Sequence, residues 1–167
     1  MSDADAPTSI GEAIEKIKSI RENNKSLQDA LKGDIDHFLA VTHNSGGRFV
    51  RNNWGLWKGH MAIHNISEDK KGTVPECPPL AQEIYDLTGL SHSDDMSGFL
   101  FRRVYEEVNS TEVDIYSWLL SVRNHWMTTG TEDVDKYAPL KRTIYNYVHQ
   151  YRDKALSEDQ KEGHQGD

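Results

Sequence analysis

The sequence predicts a mainly α-helical, single-domain bundle with a long irregular loop near residues 58–79. Apolar residues recur at three- and four-residue intervals through most of the chain, the spacing of one helical face. Helix-start chemistry stands ahead of several of those runs. No segment shows the clean apolar–polar alternation of a half-buried strand. The 167 residues suit one domain that buries roughly two thirds of the unfolded chain's surface. No internal repeat appears, and no heptad run is long enough for a coiled coil.

Residues 1–7 read as a disordered leader to a helical domain over 8–156. Ser9-Ile-Gly-Glu12 is a capping box, in which the serine oxygen accepts from the third helical amide and Glu12 reaches back. Ile10, Ala13, Ile14, Ile17 and Ile20 then form one stripe. Asn23-Asn24 interrupts it, and Ser26 restarts a run through Leu27, Ala30, Leu31, Phe38, Leu39 and Val41. Gly33 weakens the middle of that run by about 1 kcal/mol against alanine, so two shorter helices are an alternative to one. A short polar turn between helices predicts an antiparallel hairpin.

Asn44-Ser-Gly-Gly47 reads as a loop, with glycines free to take positive φ. Beyond it, Phe49, Val50, Trp54 and Trp57 are too apolar to leave in water. Phe49, Asn53 and Trp57 fall on one helical face, and Gly55 can end the helix. From Lys58 to Pro79 the periodicity fades into charges, glycine and prolines. Pro79 is suited to a first helical position, ahead of Leu80, Ile84 and Leu87, with Gly89 closing the run.

Ser91 or Ser93 is expected to cap the next helix. Its Met96, Phe99, Leu100, Phe101, Val104 and Val108 cover most of the circumference and mark it as central. Arg102–Glu106 and Arg103–Glu107 are read as exposed pairs. Ile115, Trp118, Leu119, Val122 and Trp126 define another amphipathic helix, and Pro139 opens a last one with Leu140, Ile144, Tyr147, Val148 and Tyr151. The two form a C-terminal extension over 112–156. Residues 157–167 have no apolar content and read as a disordered tail.

The formal net charge of −8 argues against a protein that tracks phosphates, which needs a basic face; no nucleic-acid partner is expected. A single cysteine, Cys77, forms no internal disulfide and calls for no oxidising compartment. The acidic opening is unlike a secretory signal, and no stretch approaches the ~20 apolar residues of a membrane span. A cytoplasmic protein without membrane attachment is expected.

Two stretches mix large apolar groups with polar groups that need partners: Arg48 to Trp57, and Gly89 to Gly98. The Arg51-Asn-Asn-Trp-Gly-Leu-Trp57 segment and the later His92-Ser-Asp-Asp-Met-Ser97 segment resemble the paired motifs of an uncharacterised bacterial and phage domain family. Its members carry proline where this chain has Ser93, and a shorter connector between the motifs. The resemblance covers roughly residues 35–115. It implies a small helical domain and no particular chemistry.

His92, Asp94 and Asp95 can be read as an acid–base or metal cluster at a helix start. Capping explains them more simply, since anionic side chains there meet unpaired amides and the positive end of the helix dipole. Arg48, Arg51, Asn52 and Asn53, beside Trp54 and Trp57, allow two readings. One is an anion pocket in which arginine forks a carboxylate or phosphate. The other is a structural clasp between Arg51 and Asp94 or Asp95, and it is favoured.

His60 and His64 have zinc-protease spacing, but Met61 stands where the glutamate belongs. Asp34, Asp36, His37 and His43 form a loose group that solvated helix faces explain, as they explain Glu12 and Glu15. Cys77 lies between prolines with nothing in sequence to lower its pKa. No phosphate loop, nucleophile elbow or Cys-x-x-Cys appears, so no cofactor, no metal and no catalytic activity is implied.

The leading expectation is a non-enzymatic protein-interaction module: an inhibitor, an immunity-type protein or a phage accessory protein. It would bind a protein partner through an acidic, aromatic-containing helical surface, with Trp54, Trp57, Trp126 and the tyrosines of the last helix as anchors. The alternative is a small hydrolase, or an anionic-ligand or metal-binding domain, using Arg51, His92, Asp94 and Asp95.

Overall fold

The computed structural model describes residues 5–58 and 77–128. Among them the chain is a mainly α-helical bundle of seven helices without a strand. In chain order these are α1 (Ile10–Glu22), α2 (Lys25–Leu31), α3 (Ile35–Asn44), α4 (Gly46–Asn53), α5 (Pro79–Thr88), α6 (Ser93–Asn109) and α7 (Ile115–Thr128). The described residues divide into two compact units. The first holds those up to Tyr85 together with Leu90–Ile115, and the second holds Asp86–Gly89 and those from Tyr116 onward. The loop expected over 58–79 lies mostly outside the described residues, as do the helix expected from Pro139 and the tail.

In the first unit α6 is the hub, packed against α1, α3 and α4 and touching α2. Its Met96, Phe99, Leu100, Phe101 and Val104 are all buried, as a helix apolar nearly all round requires. Phe38 of α3 sits against it, with ring centroids 6.0 Å from Phe101 and 5.4 Å from Tyr105. The Tyr105 hydroxyl donates to the Gly33 carbonyl at 3.0 Å. Lys18 of α1 reaches Glu107 of α6 at 2.8 Å and Glu15 at 2.9 Å.

The helix boundaries follow local capping. Ser9 Oγ accepts from the Glu12 amide at 3.2 Å. Glu12 does not return to its cap residue as its main partner; Oε2 takes the amide and hydroxyl of Thr8 instead, at 2.8 and 2.9 Å. Those bonds hold the Glu12 carboxyl below its ordinary pKa. Ile10 N donates to Glu83 Oε2 of α5 at 2.6 Å, a second anion on the unpaired amides of α1. Of the expected leader, residues 1–4 lie outside the described residues. Pro7, by contrast, is buried, and Lys16 Nζ donates to the Asp5 carbonyl.

Asn24, rather than Ser26, starts α2, its Oδ1 accepting from Leu27 N at 3.0 Å. Gln28 Nε2 reaches back to the Arg21 and Glu22 carbonyls at the end of α1. Gly33 does divide the following run: α2 ends at Leu31, and Asp34 caps α3 through His37 N at 2.8 Å.

The loop expected at Asn44–Gly47 is instead nearly continuous helix, with Gly46 and Gly47 forming the first turn of α4. Positive φ is not their purpose. A Cβ on Gly46 would stand 2.8 Å from Phe101 Cζ. One on Gly47 would stand 2.8 Å from an Arg51 terminal nitrogen and 3.1 Å from the Thr42 carbonyl oxygen. The glycines let α4 press against α6 and leave room for the guanidinium.

In the second unit α7 buries Leu119 and Val122 and leaves Tyr116 exposed. No described helix is long and apolar enough to cross a membrane.

Candidate functional site

The two stretches singled out in the sequence meet where α4 packs on the N-terminal end of α6. Arg51, one turn from the end of α4, is the residue that joins them. Its Nε pairs with Asp94 Oδ1 at 3.1 Å, one terminal nitrogen donates to Ser97 Oγ at 3.1 Å, and the other donates to the His43 carbonyl at 3.2 Å. Ser97 is buried, and its hydroxyl donates to the Asp94 carbonyl at 3.0 Å. One guanidinium thereby ties the end of α3, the body of α4 and the first turn of α6. The fork matches a planar donor set to three separately placed acceptors. The Arg51 side chain is only 13 % exposed, whereas the Asp94 carboxylate is 47 % exposed.

The cap of α6 is His92, not Ser91 or Ser93. Its Nδ1 accepts from the Asp94 amide at 3.2 Å, which places a ring proton on Nε2 in the neutral form. Histidine is an uncommon N-cap, and the serines on either side masked it in the sequence. Asp94 and Asp95 occupy the first turn, where the helix dipole favours anions. His92 Nδ1 lies 3.9 Å from Asp94 Oδ2, beyond hydrogen-bond reach. Among the described residues no group of three or more His, Cys, Asp and Glu side chains converges on a metal-holding geometry. Arg51, Asp94 and Ser97 therefore orient one another, and their arrangement holds helices.

The remaining candidates separate from this cluster. Asn52 and Asn53 are exposed at the end of α4, and Asn53 Nδ2 donates to the Phe49 carbonyl within its own helix at 2.9 Å. Arg48 is exposed. Trp54 is not the exposed anchor expected: it is 4 % exposed and packs edge-on against Phe49 at 6.5 Å. Trp57 is half exposed and does not continue the face of Phe49 and Asn53, because α4 ends at Asn53. Gly55 takes φ +65°, and Leu56 N donates to the Arg51 carbonyl at 3.2 Å. That is a glycine-closed helix end with the bond running back five residues. Leu56 is fully buried, so the turn is pinned and Trp57 is set outward with Lys58 Nζ 5.5 Å above its ring. His60 and His64 lie outside the described residues, as do the Trp126 side chain and the tyrosines of the last expected helix.

Sequence reasoning missed a second polar cluster at the other end of α6. Glu106 is buried rather than exposed, and its partner is Arg103 at 2.8 Å, one turn back, in place of Arg102. Its other oxygen accepts from Val113 N at 3.0 Å. Burial pushes this carboxyl above its ordinary pKa, against the Val113 amide and Arg103, which pull it down. Arg102 is itself partly buried; it donates to the Gly98 carbonyl at 3.1 Å, and desolvation lowers its pKa to about 10, leaving it charged at neutral pH. Of the two i,i+4 pairs expected, Arg103 with Glu107 forms at 3.4 Å, with Arg103 largely covered rather than exposed. The missed signal was the short polar connector after Asn109, which folds back over the last turn and needs an acceptor.

No protein-family model, no curated protein and no solved structure matches this chain.

Proposed function

We propose that this protein is a non-enzymatic interaction module, of the inhibitor, immunity or phage-accessory kind, that binds a protein partner through an aromatic-bearing helical surface. The observation that carries this reading is Trp57: a half-exposed tryptophan on a turn fixed by buried Leu56 and Gly55. A large apolar ring held in water is costly, and partners commonly bury such rings as hot spots. The neighbouring polar machinery fits a scaffold, since all three nitrogens of the Arg51 guanidinium group already have acceptors in the fold. An anion pocket would need those donors.

The test is quantitative capture from cell lysate with the full chain and with Trp57→Ala. A specific protein is expected to be retained by the wild type and lost from the variant, at an unchanged thermal midpoint. Truncation of a hot-spot tryptophan costs about 2 kcal/mol or more in binding. The reading fails if no protein is retained in a Trp57-dependent way while phosphate or a small carboxylate raises the wild-type midpoint and not that of Arg51→Met.

A further inference from the structure

The acidic balance of the chain is interrupted along the stretch of sequence that presents Trp57. The protein has 27 Asp and Glu residues, yet none lies between His37 and Lys58, a stretch that covers most of α3, all of α4 and the turn after it. Within it Arg48 and Lys58 are exposed cations that make no ion pair among the described residues. Lys18, Lys32, Arg51 and Arg103 each hold a carboxylate, and Lys25, exposed and without an ion pair among the described residues, stands in a stretch that carries Glu22 and Asp29. From α6, the helix packed on α4, Asp94 is turned to Arg51. Asn52, one helical turn from Arg48, adds exposed amide donors.

We propose that the outer side of α4 and the turn that follows it, through Arg48, Asn52, Trp57 and Lys58, docks a carboxylate-bearing segment of the partner protein. The arginine fork and the lysine ammonium take carboxylates, and the Trp57 ring, with Lys58 Nζ 5.5 Å above it, takes an apolar side chain. This rests on the interaction-module reading and gives the partner its chemistry. Charge complementarity selects the occupant. A basic segment would be drawn to the acidic remainder of the surface and repelled here. A nucleic acid needs a run of cations along its phosphates, and two cations on a molecule of net charge −8 do not supply one. A protein segment asks only for one or two short-range carboxylate contacts beside an aromatic ring.

The experiment uses the full chain and fluorescence anisotropy with three labelled probes: a peptide alternating glutamate and leucine, its lysine–leucine counterpart, and an oligothymidylate. The glutamate peptide is expected to bind and the lysine peptide not. Arg48→Glu and Lys58→Glu should each weaken binding by roughly tenfold, as should Trp57→Ala. Lys25→Glu, on exposed α2, should leave it unchanged. Absence of glutamate-peptide binding, or charge-reversed variants that bind it equally well, overturns the proposal. So does an oligothymidylate that binds more tightly than the peptide through Arg48 and Lys58. Trp57-dependent protein capture that survives both charge reversals overturns the docking chemistry while leaving the module reading intact.

Discussion

The two ends of α6 each set a covered arginine against a carboxylate, and they differ in how much of the carboxylate is left in water. At its N-terminal end the buried partner is the cation: Arg51 is largely covered, and Asp94 stands half in water. At its C-terminal end both partners are covered, Arg103 at 17 % and the Glu106 side chain at 9 % exposed. A wet carboxylate keeps most of its hydration, so Asp94 contributes direction more than energy. A covered one loses hydration and is compensated through partners such as Arg103 and the Val113 amide. The burial of the carboxylate, rather than the presence of a pair, decides what each clasp is worth.

The sharpest way to break the contrast is Arg51→Ala. It leaves three acceptors on two helices without their donor and opens a gap beneath Gly47, so a loss of about 2–4 kcal/mol in chemical denaturation is expected. Asp94→Asn, which keeps the shape and removes only the exposed charge, should cost less than about 1 kcal/mol. Equal losses from the two would mean that the carboxylate, not the guanidinium, organises this end.

Glu106→Ala comes next, at about 2 kcal/mol, because it leaves the Val113 amide without its acceptor and removes the nearer of the Arg103 carboxylates. Glu106→Gln keeps an oxygen for Val113 and should be neutral to slightly stabilising at pH 7. The pH dependence separates the two effects. The folded state raises this carboxyl above its unfolded value of about 4.5, so the folded form holds its proton more tightly. Its contribution is greatest below that value and is lost as pH rises through the folded pKa. Denaturation midpoints measured across the mildly acidic range should show this decline in the wild type and not in Glu106→Gln. A decline of the same size in both proteins would assign it to another group.

The smallest effect concerns Ser110, which follows α6 in the left-handed region at φ 48°. Ser110→Gly relieves that conformation and should stabilise by about 0.5–1 kcal/mol, raising the thermal midpoint by a few degrees.

Much of the helical frame was legible in local chemistry. Ser9, Gly33, Pro79 and Gly89 act through their immediate neighbours, and α1, α5, α6 and α7 fall where their periodicity lies. What stayed hidden depends on contacts between distant residues. Gly46 and Gly47 read as loop because nothing nearby reveals Phe101 and the Arg51 guanidinium overhead. Glu106 read as solvent-facing because its spacing from Arg102 suits an exposed pair, whereas the chain returns to it at Val113. Trp54 and Trp57 looked equivalent in sequence; the turn at Gly55 sends one inward and the other outward. For the candidate site, sequence supplied both arms of the Arg51–Asp94 pair but not Ser97, the His43 carbonyl or the His92 cap.

The turn at Gly55 also bears on the kinetics of the proposed association. Because Leu56 is locked in the core and its amide is bound to the Arg51 carbonyl, the backbone beneath Trp57 is already ordered before any encounter. Fixing a residue's backbone costs roughly 1–2 kcal/mol of conformational entropy. A ring on a mobile loop would meet that cost at each of several residues when it docks. Here only the side-chain torsions of Trp57 remain to be settled, so the anchor is preorganised. Loosening the turn should slow complex formation even where every contact of the bound state survives.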